Sequence, residues 1–245
     1  MSDIEDKSVQ LMVSSPPYWN LKNYQVENQI GYRENYQTYL RRILKVWEET
    51  RRKLRDDGVA IININTKSDK SSLVLIPYDF INQLQGIGFI FKDLLIWHKS
   101  SGIPRQRNFG DHFEYFLIFS KNDDFKCNRD MEITTRYKVD NVNTDQLINT
   151  WNINKKFGSI GKKYSKIHPA LFPVKFIMRL IRLFTDEEDI VLDPFLGSGT
   201  TLLAATKTNR NCYGYELNKK DYGPLIEGRL HEENIPVENT IEFYS

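Results

Sequence analysis

The chain has few of the residues that would indicate an extracellular, membrane or metal-bound protein. Its two cysteines, Cys127 and Cys212, are too few for a disulfide framework, which favours a reducing compartment and predicts a cytoplasmic protein. No apolar stretch is long enough to span a bilayer, and we expect no secretory signal. The four histidines are scattered without a Cys or His partner at metal-ligand spacing, so we predict no metal site.

The net charge of +2 does not by itself indicate a nucleic-acid partner. The local distribution is more informative, because five basic residues and no acidic ones fall between Lys155 and Lys166, interleaved with glycines and aromatic residues. Such a segment could follow phosphates as a flexible basic loop, or it could be a solvated surface loop.

Strands and helices alternate along most of the chain, which predicts an α/β fold with a mostly parallel sheet. We predict strands at 9–13, 58–65, 91–98, 114–120, 190–192, 211–217 and 240–244, and helices at 34–55, 72–85, 174–185, 200–208 and 221–231. No helix separates the strands at 91–98 and 114–120, so they are expected to pair as an antiparallel hairpin at one edge. Residues 122–166 lose periodicity and turn polar, which sets them apart from the core scaffold.

A glycine-rich turn at 193–201 (DPFLGSGTT) follows a buried strand and opens a helix. Ligands bind at the carboxyl edge of parallel sheets, and Gly197 and Gly199 can adopt positive φ and let a ligand approach the backbone. Glu216 ends the next strand about 20 residues on, where an acid can accept hydrogen bonds from ribose hydroxyls. A dinucleotide is disfavoured, because Leu202 stands where G-x-G-x-x-G needs its third glycine. The glycines alone leave open a tight strand–helix turn without a ligand.

A second turn, at 14–18 (SSPPY), follows the strand at 9–13. Pro16 and Pro17 have a fixed φ and therefore stiffen this turn, and Tyr18 offers a flat face on which a base can stack. The alternative is a proline-stiffened loop whose aromatic residues pack in the core.

The two turns together resemble the beta class of amino-methylating DNA methyltransferases, over residues 9–217 at least. In that class the catalytic segment precedes the cofactor segment. The resemblance implies an α/β fold: a circularly permuted, Rossmann-like, seven-stranded methyltransferase sheet with one reversed strand and a short recognition insertion. It divides the chain into a catalytic part at 1–121, a target-recognition insertion at 122–166 and a cofactor-binding part at 167–245.

The resemblance implies S-adenosylmethionine as the cofactor. Asp193 is placed to meet its cationic part, and the first amides of the helix opened by Thr200 favour its carboxylate. The segment at 166–173 resembles the one that packs beside the methionine end of the cofactor in this family. The expected cofactor-binding residues are Asp193, Phe195, Gly197, Ser198, Gly199, Thr200, Glu216, His168 and Phe172.

The resemblance makes Ser15 the first residue of the catalytic motif, followed by Pro16, Pro17 and Tyr18. An exocyclic base amine is a poor nucleophile, because its lone pair is delocalised into the ring. A hydroxyl and a proline carbonyl can accept hydrogen bonds from the amine and localise that lone pair, once the base is flipped out of the duplex. Serine at this position is more typical of cytosine-N4 enzymes and aspartate of adenine-N6 enzymes. We therefore predict methylation of cytosine N4, with adenine N6 as the alternative.

Double-stranded DNA is the expected substrate, with arginine suited to guanine and lysine to phosphate. Candidate DNA contacts are Arg105, Arg107, Arg129, Arg136, Lys155, Lys156, Lys162 and Lys163. The short insertion implies a short site or contacts from a partner subunit, and a homodimer and a paired restriction endonuclease are both left open. Trp151 is expected in the core, with a place beside the target pocket as the alternative. An RNA or protein amino-methyltransferase and an inactive nucleic-acid-binding subunit are the remaining, less favoured alternatives.

Overall fold

The structure is a computed structural model that describes residues 1–24, 26–69, 72–103, 111–129, 136–139, 142–145, 150–152 and 173–236. The described strands are β1 Val9–Ser14, β2 Leu54–Ile64, β3 Lys67–Asp69, β4 Ser72–Val74, β5 Ile90–Ile103, β6 Asp111–Ser120, β7 Arg136–Val139, β8 Val142–Asp145, β9 Thr150–Asn152, β10 Ile190–Asp193 and β11 Asn211–Gly214. The described helices are α1 Tyr36–Lys53, α2 Ile76–Gly86, α3 Val174–Phe184, α4 Thr200–Thr206 and α5 Lys219–Glu232.

The main sheet has seven strands in the order β11-β10-β1-β2-β6-β5-β9. All neighbours are parallel except those of β6, which runs against both β2 and β5. This arrangement confirms the predicted α/β sheet with one reversed strand. The first strand of the chain lies in the middle of the sheet beside β10, so the two ends of the described chain build one core.

Helices cover both faces of the sheet, as expected for strands that are buried on both sides. On one face α1 and α2 pack through residues such as Trp47 and Phe80. On the other face α3 packs through Phe176, whose ring stacks on Phe116 with centroids 4.4 Å apart. Complete burial of a side chain of this size contributes about 1.5–3 kcal/mol to stability.

The longest helix, α1, has the start and end that its sequence favours. The Asn35 side chain accepts a hydrogen bond from the Thr38 amide at 2.8 Å, which caps the helix at its N-terminus. The helix ends at Lys53, and Leu54 already belongs to β2 and pairs with Val9. The helix predicted at 34–55 is therefore confirmed with slightly narrower limits.

Two sequence predictions about elements were wrong. The helix expected at 72–85 begins only at Ile76, because Ser72–Val74 pair with Lys67–Asp69 as a small hairpin and Pro77 stands in the first turn of α2. The strands β5 and β6 pair antiparallel as expected, but they are not the edge of the sheet. The edge is β9, which pairs in parallel with β5.

The strand β9 comes from the polar region at 122–166, and it carries one core residue. Trp151 is 4% exposed and its ring lies 4.8 Å from that of Phe176. The expectation of a core tryptophan is confirmed, and this part of the region belongs to the scaffold. The strand predicted at 240–244 lies outside the described residues.

None of the helices in the described ranges is long and apolar enough to cross a membrane.

Candidate active site

The two turns singled out in the sequence meet at the carboxyl edge of the sheet, because β1 and β10 are parallel neighbours. The Ser14 hydroxyl, at the end of β1, donates to Asp193 Oδ1 at 2.5 Å. The Thr201 hydroxyl donates to Asp193 Oδ2 at 2.6 Å, and the Phe195 amide donates to Oδ1 at 3.0 Å. Asp193 therefore joins both turns through three internal hydrogen bonds.

Asp193 is almost completely buried, which disfavours its ionised form. Burial raises the pKa of Asp193 above its ordinary value, and the hydrogen bonds from Ser14, Thr201 and the Phe195 amide offset part of that rise. The carboxylate is 4% exposed, so its main observed role is to order the glycine-rich turn.

Close packing explains one of the two glycines in this turn, and backbone conformation explains both. Gly197 and Gly199 have φ of 53° and 76°, the left-handed region that favours glycine. A Cβ on Gly199 would also lie 2.9 Å from Ile226 of α5. The backbone of the turn therefore packs closely against α5.

An arginine that the sequence analysis missed holds this turn from α5. Arg229 donates to the Ser198 carbonyl at 2.6 Å, to the Ser198 hydroxyl at 3.0 Å and to the Thr200 hydroxyl at 2.9 Å. Burial lowers the pKa of Arg229 to about 10. A charged guanidinium with this many bonds to one turn fixes the positions of Ser198 and Thr200.

Glu216 connects the glycine-rich turn to the segment that follows β11. It lies two residues beyond the end of that strand, not within it as predicted. Its carboxylate accepts from the Gly197 amide at 2.9 Å and from the Asn218 amide at 2.7 Å. Burial raises the pKa of Glu216, and the neighbouring charge of Asp193 raises it further, against the backbone bonds that lower it. A ligand with positive charge would stabilise both acids in their ionised form.

The proline-rich turn is organised by Asn63, which the sequence analysis also missed. Asn63 Oδ1 accepts from the Ser15 hydroxyl at 3.3 Å and from the Tyr18 hydroxyl at 3.1 Å. Its amide group donates to the Tyr115 carbonyl at 3.1 Å, which fixes the orientation of the side chain. Asn63 is 1% exposed and directly follows the apolar run at 59–62, and a polar residue inside a buried strand was the signal that could have revealed it.

A second bond fixes the other side of this turn. The Tyr39 hydroxyl of α1 donates to the Pro17 carbonyl at 3.0 Å. Because Tyr39 is fully buried, the position of this peptide is set by the core of the protein. The turn is thus held both by its prolines and by its neighbours.

The loop after Tyr18 reaches from the proline-rich turn to the Glu216 segment. Gln29 closes this loop on itself, donating to the Lys22 carbonyl at 2.6 Å and accepting from the Tyr24 amide at 2.7 Å. Asn218 then donates to the Tyr24 carbonyl at 3.1 Å. The loop therefore links the proline-rich turn to the segment that follows β11.

Comparison with known proteins identifies the family to which this chain belongs. The sequence model of the DNA methylase family, which groups N6 and N4 methyltransferases, matches residues 9–223. The match contains both turns, Asn63 and Glu216. The chain belongs to the N6/N4 DNA methylase family.

Named relatives and solved structures agree with this assignment. The type II methyltransferase M.MjaI of Methanocaldococcus jannaschii is 31% identical over 99% of the chain and 92% of that protein. M.MwoI of Methanothermobacter wolfeii is 30% identical over 88% of the chain, but the match spans only 30% of that longer protein.

Among solved structures, the PvuII DNA methyltransferase (cytosine-N4-specific) has the same fold, with a TM-score of 0.77, 22% identity, and coverage of 98% of this chain and 85% of that one. A putative DNA modification methylase from Thermus thermophilus, complexed with S-adenosyl-L-methionine, has a TM-score of 0.70, 24% identity, and coverage of 96% and 90%. The protein is a DNA methyltransferase, and its cofactor is S-adenosylmethionine.

The structure brings together most residues that the sequence assigned to the methyltransferase site. The turn after β1 contains Ser15, Pro16, Pro17 and Tyr18. The turn after β10 and the segment after β11 contain Asp193, Phe195, Gly197, Ser198, Gly199, Thr200 and Glu216. Phe195 also contributes to the core, where its ring meets that of Trp47 edge-on at 6.3 Å. His168 and Phe172 fall outside the described residues.

Few of the expected DNA contacts of the methyltransferase can be placed. Arg105, Arg107, Lys155, Lys156, Lys162 and Lys163 lie outside the described residues, and Arg136 begins β7. Arg129 follows Asn128, whose amide donates to the Leu183 carbonyl near the end of α3, where β10 begins. The structure therefore places Arg129 near the amino edge of the sheet, opposite to the carboxyl edge at which Ser15 lies.

Proposed function

We propose that this methyltransferase transfers a methyl group from S-adenosylmethionine to N4 of a flipped-out cytosine in double-stranded DNA. The bond between the Ser15 hydroxyl and Asn63 Oδ1 is the observation that favours cytosine over adenine as the target base. Neither a serine hydroxyl nor a carboxamide removes a proton at neutral pH. A serine at the first motif position is typical of cytosine-N4 enzymes, whereas adenine-N6 enzymes typically have an aspartate there.

The residues at the glycine-rich turn fit S-adenosylmethionine. The cofactor supplies a methyl group bonded to a positively charged sulfur. Asp193, which is buried, and Glu216, which is partly buried, provide negative charge where a cationic ligand would be held, and withdrawal from water has raised the pKa of each. In our assignment Glu216 accepts from the ribose hydroxyls, and Gly197 and Gly199 let the ligand approach the backbone.

The proline-rich turn presents acceptors to the target amine. Because the Pro17 carbonyl already accepts from Tyr39, we assign the Pro16 carbonyl and the Ser15 hydroxyl as acceptors for the amine. These contacts draw the lone pair out of the ring, and the rigid turn keeps the reacting atoms aligned. The ring of Tyr18 stacks on the base, with its hydroxyl anchored on Asn63.

The amine must lose one proton during methylation. The Ser15 hydroxyl and the Pro16 carbonyl hold the amine but cannot retain that proton, so it passes to water. The site therefore acts by orientation, which accounts for the number of hydrogen bonds that fix the turn.

Substitution of Ser15 and Tyr18 tests this assignment. Ser15→Ala and Tyr18→Ala should lower the rate of labelled methyl transfer to DNA about 100-fold or more, because they remove transition-state contacts. Cofactor affinity, measured by calorimetry, should stay within about twofold of wild type. Matched controls are Ser68→Ala and Tyr78→Ala, at exposed positions far along the chain from either turn. Near-normal rates in both active-site variants would refute the catalytic assignment.

A further inference from the structure

A largely buried ion pair lies next to the proline-rich turn. Three neighbouring strands each carry buried apolar residues facing α3, and on each strand the next position on that face is polar. The apolar residues are Val59 and Ile61 on β2, Phe116 and Ile118 on β6, and Leu95 and Trp97 on β5. At the next position toward the carboxyl edge of the sheet, the polar residues are Asn63 on β2, Glu114 on β6 and Lys99 on β5.

Lys99 and Glu114 form this ion pair at the carboxyl edge of the sheet. Lys99 Nζ lies 3.1 Å from Glu114 Oε1, and the two side chains are only 13% and 17% exposed. The strand register places Glu114 opposite Trp97 and directly before Tyr115, whose carbonyl holds Asn63. The pair therefore lies beside the side chain that anchors Ser15.

The charge of Glu114 acts on Tyr18 of the proline-rich turn. The pKa of the Tyr18 hydroxyl is raised well above its ordinary value, first by burial and next by the charge of Glu114. This coupling agrees with the strand register, which places Glu114 near Asn63, the residue that accepts from the Tyr18 hydroxyl.

Stability is a poor explanation for an ion pair in this place. Two charges that are largely withdrawn from water lose much of their hydration, and an apolar pair of similar size would serve the sheet as well or better. A lysine held by a carboxylate is, however, a fixed hydrogen-bond donor at the edge of the site.

We propose that Lys99 and Glu114 line the pocket of the flipped-out base, with Lys99 donating to the ring nitrogen beside the target amine and Glu114 holding Lys99 in place. This inference rests on the proposed function. A flipped base is recognised through hydrogen bonds to its Watson–Crick edge. Cytosine has an acceptor at N3 beside its N4 amine, and adenine has one at N1 beside its N6 amine. Lys99 is thus a base-contacting residue and Glu114 a positioning residue.

Three variants test this role: Lys99→Met, Glu114→Gln, and the exchanged pair K99E/E114K. Methyl transfer to unmethylated DNA, cofactor affinity and urea unfolding are measured for each. Both single variants should lower turnover about tenfold or more, the loss expected for a base contact, with cofactor affinity within about twofold of wild type. The exchanged pair should regain stability lost in the single variants without regaining turnover, because its donor is on the wrong strand. The matched control is Lys92→Met, at the other end of β5, where Lys92 pairs with Asp123 at 2.9 Å.

The outcomes separate this inference from the proposed function. Turnover that recovers in K99E/E114K together with stability would show a structural pair and overturn the inference, as would unchanged turnover in both single variants. If the wild type methylates adenine, the proposed base is wrong while the role of Lys99 is kept. If the wild type transfers no methyl group to DNA, both proposals fail.

Discussion

The Ser14 hydroxyl donates to Asp193 Oδ1 at 2.5 Å, joining two residues that are 179 positions apart in the chain. Ser14 directly precedes Ser15, the serine that we propose contacts the target amine, and Asp193 begins the glycine-rich turn. The bond therefore links the strand end that carries the proline-rich turn to the strand end that carries the glycine-rich turn. It gives a physical reason why the two motifs must lie on neighbouring parallel strands.

Removal of this bond should destabilise the protein in a pH-dependent way. Ser14→Ala leaves a buried carboxylate with one donor fewer, a loss of about 1–3 kcal/mol. Burial already raises the folded pKa of Asp193, so its contribution to stability is greatest below the ordinary pKa and is lost as pH rises through the raised value. The substitution raises that pKa further. The decrease in the free energy of unfolding, measured in urea, should therefore be larger at about pH 7 than at about pH 4. An equal loss at both pH values, or an equal loss in Ser68→Ala, would contradict this account.

Asn63 should be necessary for turnover and dispensable for cofactor binding. Asn63→Ala removes the acceptor that Ser15 and Tyr18 share, and turnover on DNA should fall about tenfold or more, because both hydroxyls lose their orientation. Asn63→Asp keeps an acceptor at the same place and should retain more activity than the alanine variant. Steady-state rates and calorimetry on the same preparations separate the two effects. Parallel losses of cofactor affinity and turnover would instead indicate a general role in folding.

Arg229 should determine cofactor affinity through the turn that it holds. Arg229→Met removes three bonds to Ser198 and Thr200, and the Kd for S-adenosylmethionine should rise about tenfold. Arg229→Lys keeps the charge but lacks the planar guanidinium group, so its Kd should lie between those of the methionine variant and the wild type. Arg52→Met, on the exposed face of α1, is the control. If the methionine variant binds the cofactor normally, the turn does not depend on Arg229.

Cofactor affinity should weaken as pH falls, because a protonated Glu216 loses its negative charge and is a weaker acceptor for the ribose hydroxyls that we assign to it. Its folded pKa lies above the ordinary value, so protonation begins at a higher pH than for an exposed glutamate. The Kd measured by calorimetry should therefore rise as pH is lowered from about 7 to about 5. Glu216→Gln should bind more weakly at neutral pH and show a flatter profile. The same profile in wild type and variant would assign the titration to another group.

The sequence was sufficient for the parts of the site that are local in the chain. The proline-rich turn and the glycine-rich turn each follow a recognisable buried strand, so Ser15 and Gly197 could be assigned before the fold was known. Asn63 and Arg229 could not, because each acts on residues 29 or more positions away and depends on strand register or helix packing. Register is a property of the assembled sheet, so a single segment does not contain it.

The same limit explains why two predictions of secondary structure and sheet order were wrong. Ser72 to Val74 resembles the beginning of a helix when considered alone, and only its pairing with Lys67 to Asp69 makes it a strand. The strand β9 is three residues long and lies in a polar region, so its place at the sheet edge depends on Trp151 packing against Phe176. Tertiary contacts decided both cases.

The most direct test of the central claim is nucleoside mass spectrometry of unmethylated double-stranded DNA incubated with the wild-type protein and methyl-labelled S-adenosylmethionine. We expect labelled N4-methylcytosine, formed about 100-fold or more slowly when Ser15→Ala replaces the wild type. Labelled N6-methyladenine in its place would contradict the choice of base drawn from Ser15 and Asn63, and no label in any base would contradict the proposed function itself.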